Sequence, residues 1–252
     1  MVCRQVLILA ARAVVLAMFA CQQGNSAPAA PKDPGTGEKT LVQRLLRITG
    51  LTAAPSQLRG ADDTNAVGDL WISDLPGHTT TALTTDGGYA SPTFASDGAI
   101  YALKGMAIVR VSRQGKSPVE VQKVTGVAKL VGFEGAGDDL IVLLEPALAG
   151  SPLGVVSLKS GKVTVLPYHA DSETERRMLA QVRGQDRVYG DTTVYTKEET
   201  KSGVSRTLEW TDVYVKRGSE TPRNVSLCDG VTCIQPALSP DGRAVVYVKT
   251  AE

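Results

Sequence analysis

The chain has 252 residues, enough for one large all-β domain or two small ones. Its 27 Lys and Arg against 26 Asp and Glu leave a net charge of +1, which gives no electrostatic pull toward nucleic acid or acidic lipid. Two histidines are too few for a multi-His metal site, so any His-dependent triad must use His78 or His169, while 25 Gly and 13 Pro mark a globular β chain rich in turns.

Residues 1–20 read as a targeting segment. Arg4 and Arg12 supply positive charge, and residues 13–20, AVVLAMFA, form an apolar run. A membrane span needs about 20 apolar residues, so this run is too short to cross but suits the core of a signal peptide. Met18-Phe19-Ala20-Cys21 resembles the bacterial lipobox. The resemblance implies lipidation of Cys21 as the mature amino terminus, and hence a membrane partner through that anchor. The alternative is a secretory signal cleaved nearby, leaving Cys21 a free thiol. Gln22 is not Asp, so by the same resemblance nothing marks retention in the inner membrane, and the expected address is the periplasmic face of the outer membrane. Residues 21–39 are small and rich in Pro and Gly, a composition that cannot bury a core and fits a flexible tether.

Residues 40–67 hold a short helix and a loop. Thr40 is a candidate N-cap and Gly50 a stop, with Leu41, Val42, Leu45, Leu46 and Ile48 largely on one face. Packing against the domain is the favoured role for that face.

From Gly68 to the end, apolar strands alternate with Gly-containing turns. Residues 234–249, IQPALSPDGRAVVYVK, set an apolar approach, a Ser-Pro-Asp-Gly turn and a β-branched run in sequence. The same design occurs at residues 90–102, ASPTFASDGAIYA. A second kind of strand pair surrounds Gly77, Gly115, Gly161 and Gly218, which recur at roughly 40–50-residue intervals, the signature of a β-propeller. Ser172 and Glu175 form a capping-box pattern before a helix expected over residues 176–183, stopped by Gly184.

These motifs resemble the WD40-like repeat of TolB-type propellers over residues 68–252. The expected fold is therefore all-β, a propeller of about four four-stranded blades. The first unit supplies outer strands and the last unit inner ones, so pairing them would complete a shared blade and close the ring. The TolB resemblance implies six blades, which leaves open a chain that is part of a larger propeller. Ser96, Asp97, Gly98, Ser239, Pro240, Asp241 and Gly242 belong to the repeat turns, and the two aspartates are expected to stabilise those turns rather than to catalyse.

Cys228 and Cys233 bracket a Gly turn, and in an exported protein such a pair suggests a local disulfide. Glu198 and Glu199 lie in a mixed-charge stretch expected at a hairpin tip. Trp71, Trp210, Tyr214 and Tyr247 fall in strand patterns and are expected to pack. Gly-x-Ser-x-Gly, the phosphate-binding Gly-x-x-x-x-Gly-Lys and His-Glu-x-x-His are missing from the sequence. The expected function is thus a non-catalytic, lipid-anchored envelope protein that binds another protein, with no cofactor, no metal and no nucleic acid. The alternatives are the propeller of a prolyl-oligopeptidase-like peptidase, or a propeller that binds a small ligand or glycan.

Overall fold

The computed structural model describes residues 44–45, 66–114, 117–134, 137–184, 187–203 and 207–250. The chain divides into two units, Met1–Glu38 and Lys39–Glu252. The first unit, with the signal segment, Cys21 and most of the tether, lies outside the described residues. Of the predicted amino-terminal helix, Arg44 and Leu45 are described and are helical. Leu45 is fully buried and Arg44 bonds Glu134 at 2.6 Å, so this stretch packs on the domain.

Among its described residues the second unit is all-β but for two helical stretches, and its strands form four antiparallel sheets of four strands each. The terminal sheet runs β15 (Cys233–Leu238), β16 (Ala244–Thr250), β1 (Gly68–Asp74) and β2 (Thr79–Ala82). Next comes β3 (Tyr89–Phe94), β4 (Ile100–Lys104), β5 (Ala107–Val111) and β6 (Val119–Lys123). A single bridge, Gly68 to Tyr89, ties these two sheets together. The third sheet holds β7 (Val127–Phe133), β8 (Asp139–Leu148), β9 (Ser151–Ser157) and β10 (Val163–Val165). The fourth holds β11 (Arg187–Tyr189), β12 (Thr192–Ser202), β13 (Thr207–Arg217) and β14 (Arg223–Asn224). The expected joining of first and last units is present. β1 pairs with β16 without interruption from Gly68 opposite Thr250 to Asp74 opposite Ala244.

The sheets stack through their apolar faces. Leu70, Val246 and Val248 of the terminal sheet meet Ile100, Ala102 and Val109 of the second. Ile108 and Leu103 of the second meet Leu140, Val142 and Val156 of the third. On its other side the terminal sheet meets the fourth, where Val245 and Tyr247 pack with Val194, Val213 and Val215. The inner strands β3 and β15 each carry a proline, Pro92 and Pro236, which strand interiors seldom tolerate. Both sit at register shifts, where Ser91 (φ 48°) and Gln235 (φ 53°) turn left-handed, so neither proline has to donate to a regular ladder. The Ser91 N–H instead reaches the Gln235 side-chain carbonyl across the two sheets at 2.6 Å.

The remaining junction departs from the expected closed ring. Inner strands touch in the order β7, β3, β15, β11, and among the described residues no comparable contact joins β7 to β11. The apolar face of the third sheet is covered instead by α1 (Glu173–Arg183) and by Leu45, with Leu179 and Val182 packed on Ile141, Leu143 and Leu153. α1 begins three residues before the expected start, because Ser172 caps it directly: its side chain accepts the Glu175 N–H. Gly184 ends it as expected. Lys129 of β7, 3% exposed, donates to the carbonyls of Arg183 and Gly184 at 3.0 Å each and so ties the helix end to the third sheet.

The β1–β16 join leaves no room for a side chain at its first pair. A Cβ at Gly68 would lie 2.1 Å from the Lys249 carbonyl oxygen and 2.8 Å from the Thr250 Cα. Gly68→Ala is expected to destabilise the fold by roughly 1–3 kcal/mol, the usual range for overpacking; a lowered midpoint of urea unfolding with unchanged slope is the measurement.

Candidate functional site

Both repeat turns are built by their own side chains. In the first, the Asp97 Oδ1 accepts the Ala99 N–H at 2.9 Å, and Gly98 takes φ 79°. In the second, Ser239 is the knot: its hydroxyl donates to Asp241 Oδ1 at 2.5 Å and accepts the N–H groups of Arg243 and Ala244. The Asp241 carboxyl is held below the usual carboxylate range, first by the Ser239 hydroxyl and then by the Arg243 N–H. Each aspartate thus bonds within its own turn.

Stacking of the sheets places the two turns side by side. Ser96, Asp97, Gly98, Pro240 and Asp241 line one groove of ≈ 730 Å³. Arg110 from β5 and Arg113 from the following turn complete it, with Ser112, Ser117 and the exposed Val119. Arg110 pairs with the second oxygen of Asp97 at 3.7 Å, and Arg113 lies over the Phe94 ring at 5.1 Å. A smaller hollow of ≈ 340 Å³ continues on the far side of Pro240 and Asp241. It is lined by Ser239, Gly242 and the β11–β12 turn at Tyr189 and Gly190. The Tyr189 hydroxyl fixes its rim by accepting the Leu238 N–H at 3.2 Å. All the predicted turn residues therefore face one end of the sheets. The two arginines were not singled out from sequence. The one local signal was Arg110 inside the apolar run AIVRV, a charge where alternation puts an outward residue.

The predicted cysteines lie elsewhere. Cys228, in the connection from β14 to β15, and Cys233, at the start of β15, form a disulfide, with both residues buried. Beside it is Asp212 of β13, 2% exposed. Its Oδ1 accepts the Cys228 N–H and the Ser226 hydroxyl at 2.7 Å each, and its Oδ2 accepts the Trp210 indole N–H at 2.9 Å. Cys21 lies outside the described residues. His78 meets Arg223 at the surface, at 2.7 Å, and His169 contacts Glu175 at the start of α1. Glu198 and Glu199 are not at a hairpin tip. They fall within β12, whose ladder with β13 continues to Ser202 opposite Thr207. Glu199 accepts from Lys197 at 2.8 Å and from the Tyr214 hydroxyl at 2.5 Å, and these two partners hold its carboxyl below the usual range. Tyr247 is fully buried, while Trp71, Trp210 and Tyr214 are partly so. Among the described residues, no group of three or more His, Cys, Asp or Glu side chains is placed to hold a metal ion.

No family model matches the chain, and no curated protein does. Among solved structures it is similar to a TolB from Agrobacterium tumefaciens, described as putative, with 15% identity and a TM-score of 0.33 over 71% of this chain and 60% of that one. It is also similar to a variant of the AtxE2 isopeptidase with Astexin3-dC4 bound, with 13% identity and a TM-score of 0.23 over 82% of this chain and 43% of that one. The chain thus spans less than two thirds of either. Both scores fall below the level of a shared fold, and the architecture described above rests on the strands alone.

Burial alone would raise the Asp212 pKa, but the donors from Cys228, Ser226 and Trp210 together with Asn224 outweigh it, and the carboxyl sits below its ordinary value. A carboxylate whose folded pKa is depressed contributes stability that is complete above the unfolded value, about 4, and is lost as pH falls through the folded value. Asp212→Asn is expected to cost on the order of 2 kcal/mol at neutral pH. Urea midpoints of the two proteins should draw together progressively as pH falls below the ordinary carboxylate value of about 4.

Proposed function

We propose that this protein is a non-catalytic, lipid-anchored component of the bacterial envelope, a TolB-like β-propeller variant of four blades. In this reading the groove between the repeated turns receives an extended segment of an exported partner protein. The groove carries the reading: two adjacent turns and two guanidinium groups line ≈ 730 Å³ open to solvent. Its walls suit a chain rather than a compact reactant. Arg110 and Arg113 alternate with Asp97 and Asp241, so both signs of charge are on offer, and Ser112, Ser117 and Val119 add hydroxyls and one apolar contact. Guanidinium groups match carboxylates and backbone carbonyls with directed N–H donors. The lipid anchor at Cys21, the tether over residues 21–39 and an outer-membrane address facing the periplasm complete the proposal, supported by the lipobox-like end of the amino-terminal segment.

Site-specific photocross-linking tests this in the native envelope. A photoreactive residue at Ser112 should give one discrete protein adduct, and Arg110→Ala with Arg113→Ala should remove it while thermal stability stays within about 0.5 kcal/mol, as for ordinary surface changes. A ladder of unspecific adducts, or an adduct untouched by loss of both arginines, would overturn it.

A further inference from the structure

Two guanidinium groups in the groove reach the same turn. Arg110, in β5, brings its Nη2 to within 3.7 Å of the second carboxylate oxygen of Asp97. Arg113, two residues beyond β5, lies over the ring of the buried Phe94, and its Nη2 is 3.4 Å from the point where a side chain on Gly98 would begin. With no Cβ at Gly98, that space stays open to the guanidinium group. Among the described residues neither arginine donates a hydrogen bond from its side chain to the fold. Arg44, Arg217 and Arg223 do donate, to Glu134, to the Gly242 carbonyl and to the Leu75 carbonyl.

The acceptors across the groove are half-used. Asp97 gives one oxygen to its own turn and turns the other toward Arg110. Asp241 gives Oδ1 to the Ser239 hydroxyl and the Arg243 N–H, and its Oδ2 has no partner among the described residues. Arg113 is close enough to act on that carboxyl: its charge helps hold Asp241 below the usual range, behind the Ser239 hydroxyl and the Arg243 N–H. The groove thus offers two unengaged forks of N–H donors and, beside them, one unengaged carboxylate oxygen.

We propose that Arg110 and Arg113 form a subsite for a carboxylate carried by the extended segment, with Asp241 Oδ2 accepting a backbone N–H of that segment. The subsite rests on the reading of the groove given above and names the chemistry it selects. A carboxylate has two oxygens and one charge, and it matches a guanidinium fork with two parallel bonds. A neutral carbonyl has one oxygen and leaves both cations without a counter-ion. A phosphate brings a second negative charge between two walls that already hold Asp97 and Asp241, and that repulsion works against it. Arg113 is already laid on the Phe94 face, so less side-chain freedom is lost when it binds. The carboxylate can belong to an acidic side chain or to the end of the partner chain, and both present the same two oxygens.

The full chain, labelled with 15N-arginine, is titrated with small probes while the Arg Nε–H signals are followed by NMR. Arg110→Lys and Arg113→Lys assign the two signals. N-acetylglycine carries the carboxylate of a chain end, N-acetylaspartate N-methylamide that of a side chain, N-acetylglycinamide none, and inorganic phosphate a higher charge. At least one of the two acids should move both signals downfield to saturation, at concentrations about tenfold below those the neutral amide needs, as charged and neutral acceptors differ. The acid that saturates first tells chain end from side chain. Arg44, already bonded to Glu134, should not move. Arg113→Lys keeps the charge and loses the fork, so it should weaken that acid several-fold as read at Arg110. Saturation by the neutral amide at the same concentration, tighter binding of phosphate, equal shifts at every exposed arginine, or full affinity in Arg113→Lys overturns the proposal. An adduct at Ser112 without carboxylate binding removes the subsite alone, and carboxylate binding without an adduct removes the partner reading alone.

Discussion

The antiparallel join between β1 and β16 is the interaction on which the other sheets depend. Without it, β1 and β2 would be an isolated hairpin, as would β15 and β16, and two-stranded hairpins are marginal in water. Together they make a four-stranded sheet with two apolar faces. Successive residues of β16 serve those faces in turn: Val245 and Tyr247 pack toward the fourth sheet, Val246 and Val248 toward the second. A strand covered on both sides must be apolar throughout, which is why its sequence reads as an unbroken Val-Val-Tyr-Val run rather than an alternation. The join sits between the second and fourth sheets, and it therefore fixes the positions of both.

The departure from a closed ring has an equally local cause. One face of β12 presents Thr193, Tyr195 and Lys197, and the facing strand adds Tyr214 stacked on Tyr195 at 5.8 Å between ring centroids. Such a face tolerates water and gives a neighbouring sheet little to bury. The third sheet is different, because Ile141, Leu143 and Leu153 on its free side require cover. The connection between the two sheets supplies it as a helix. Leu179 and Val182 of α1 do for the third sheet what a fourth sheet would do in a closed ring. The terminal strands can pair and the ring still be interrupted, because pairing at one seam and packing at another depend on different residues.

Much of this was legible in the chain. Ser-Pro-Asp-Gly and Ser-Asp-Gly name turns through the φ preference of Gly and the self-bonding of Asp, and both turns form at those residues. Ser172 and Gly184 bound a helix for reasons equally local, namely an orphan N–H to satisfy and an end to be marked. The disulfide followed from spacing around a Gly turn. What was hidden depends on partners distant in sequence. Residues 197–202 are charged and poor in β-branched side chains, so they read as a tip; the ladder to β13 and the bond from Tyr214 to Glu199 hold them as strand. The groove was hidden for the same reason, since Arg110 and Arg113 meet Asp241 only after two sheets have stacked, more than a hundred residues apart in the chain.

Fold and recognition share residues at the groove, and that sharing decides which side chains can report on binding. Asp97 spends one oxygen on its own turn and offers the other to Arg110. Asp241 is bound into the Ser239 knot, which also receives the first N–H of β16. Removing either carboxylate would loosen a turn and, through β16, the seam that unites the chain ends. Arg110 and Arg113 carry no such duty: both project from exposed positions, one held by a long ion pair and the other by a ring face. Natural variation at the two aspartates would therefore be limited by folding whatever the partner, whereas variation at the two arginines is free to follow what the groove holds.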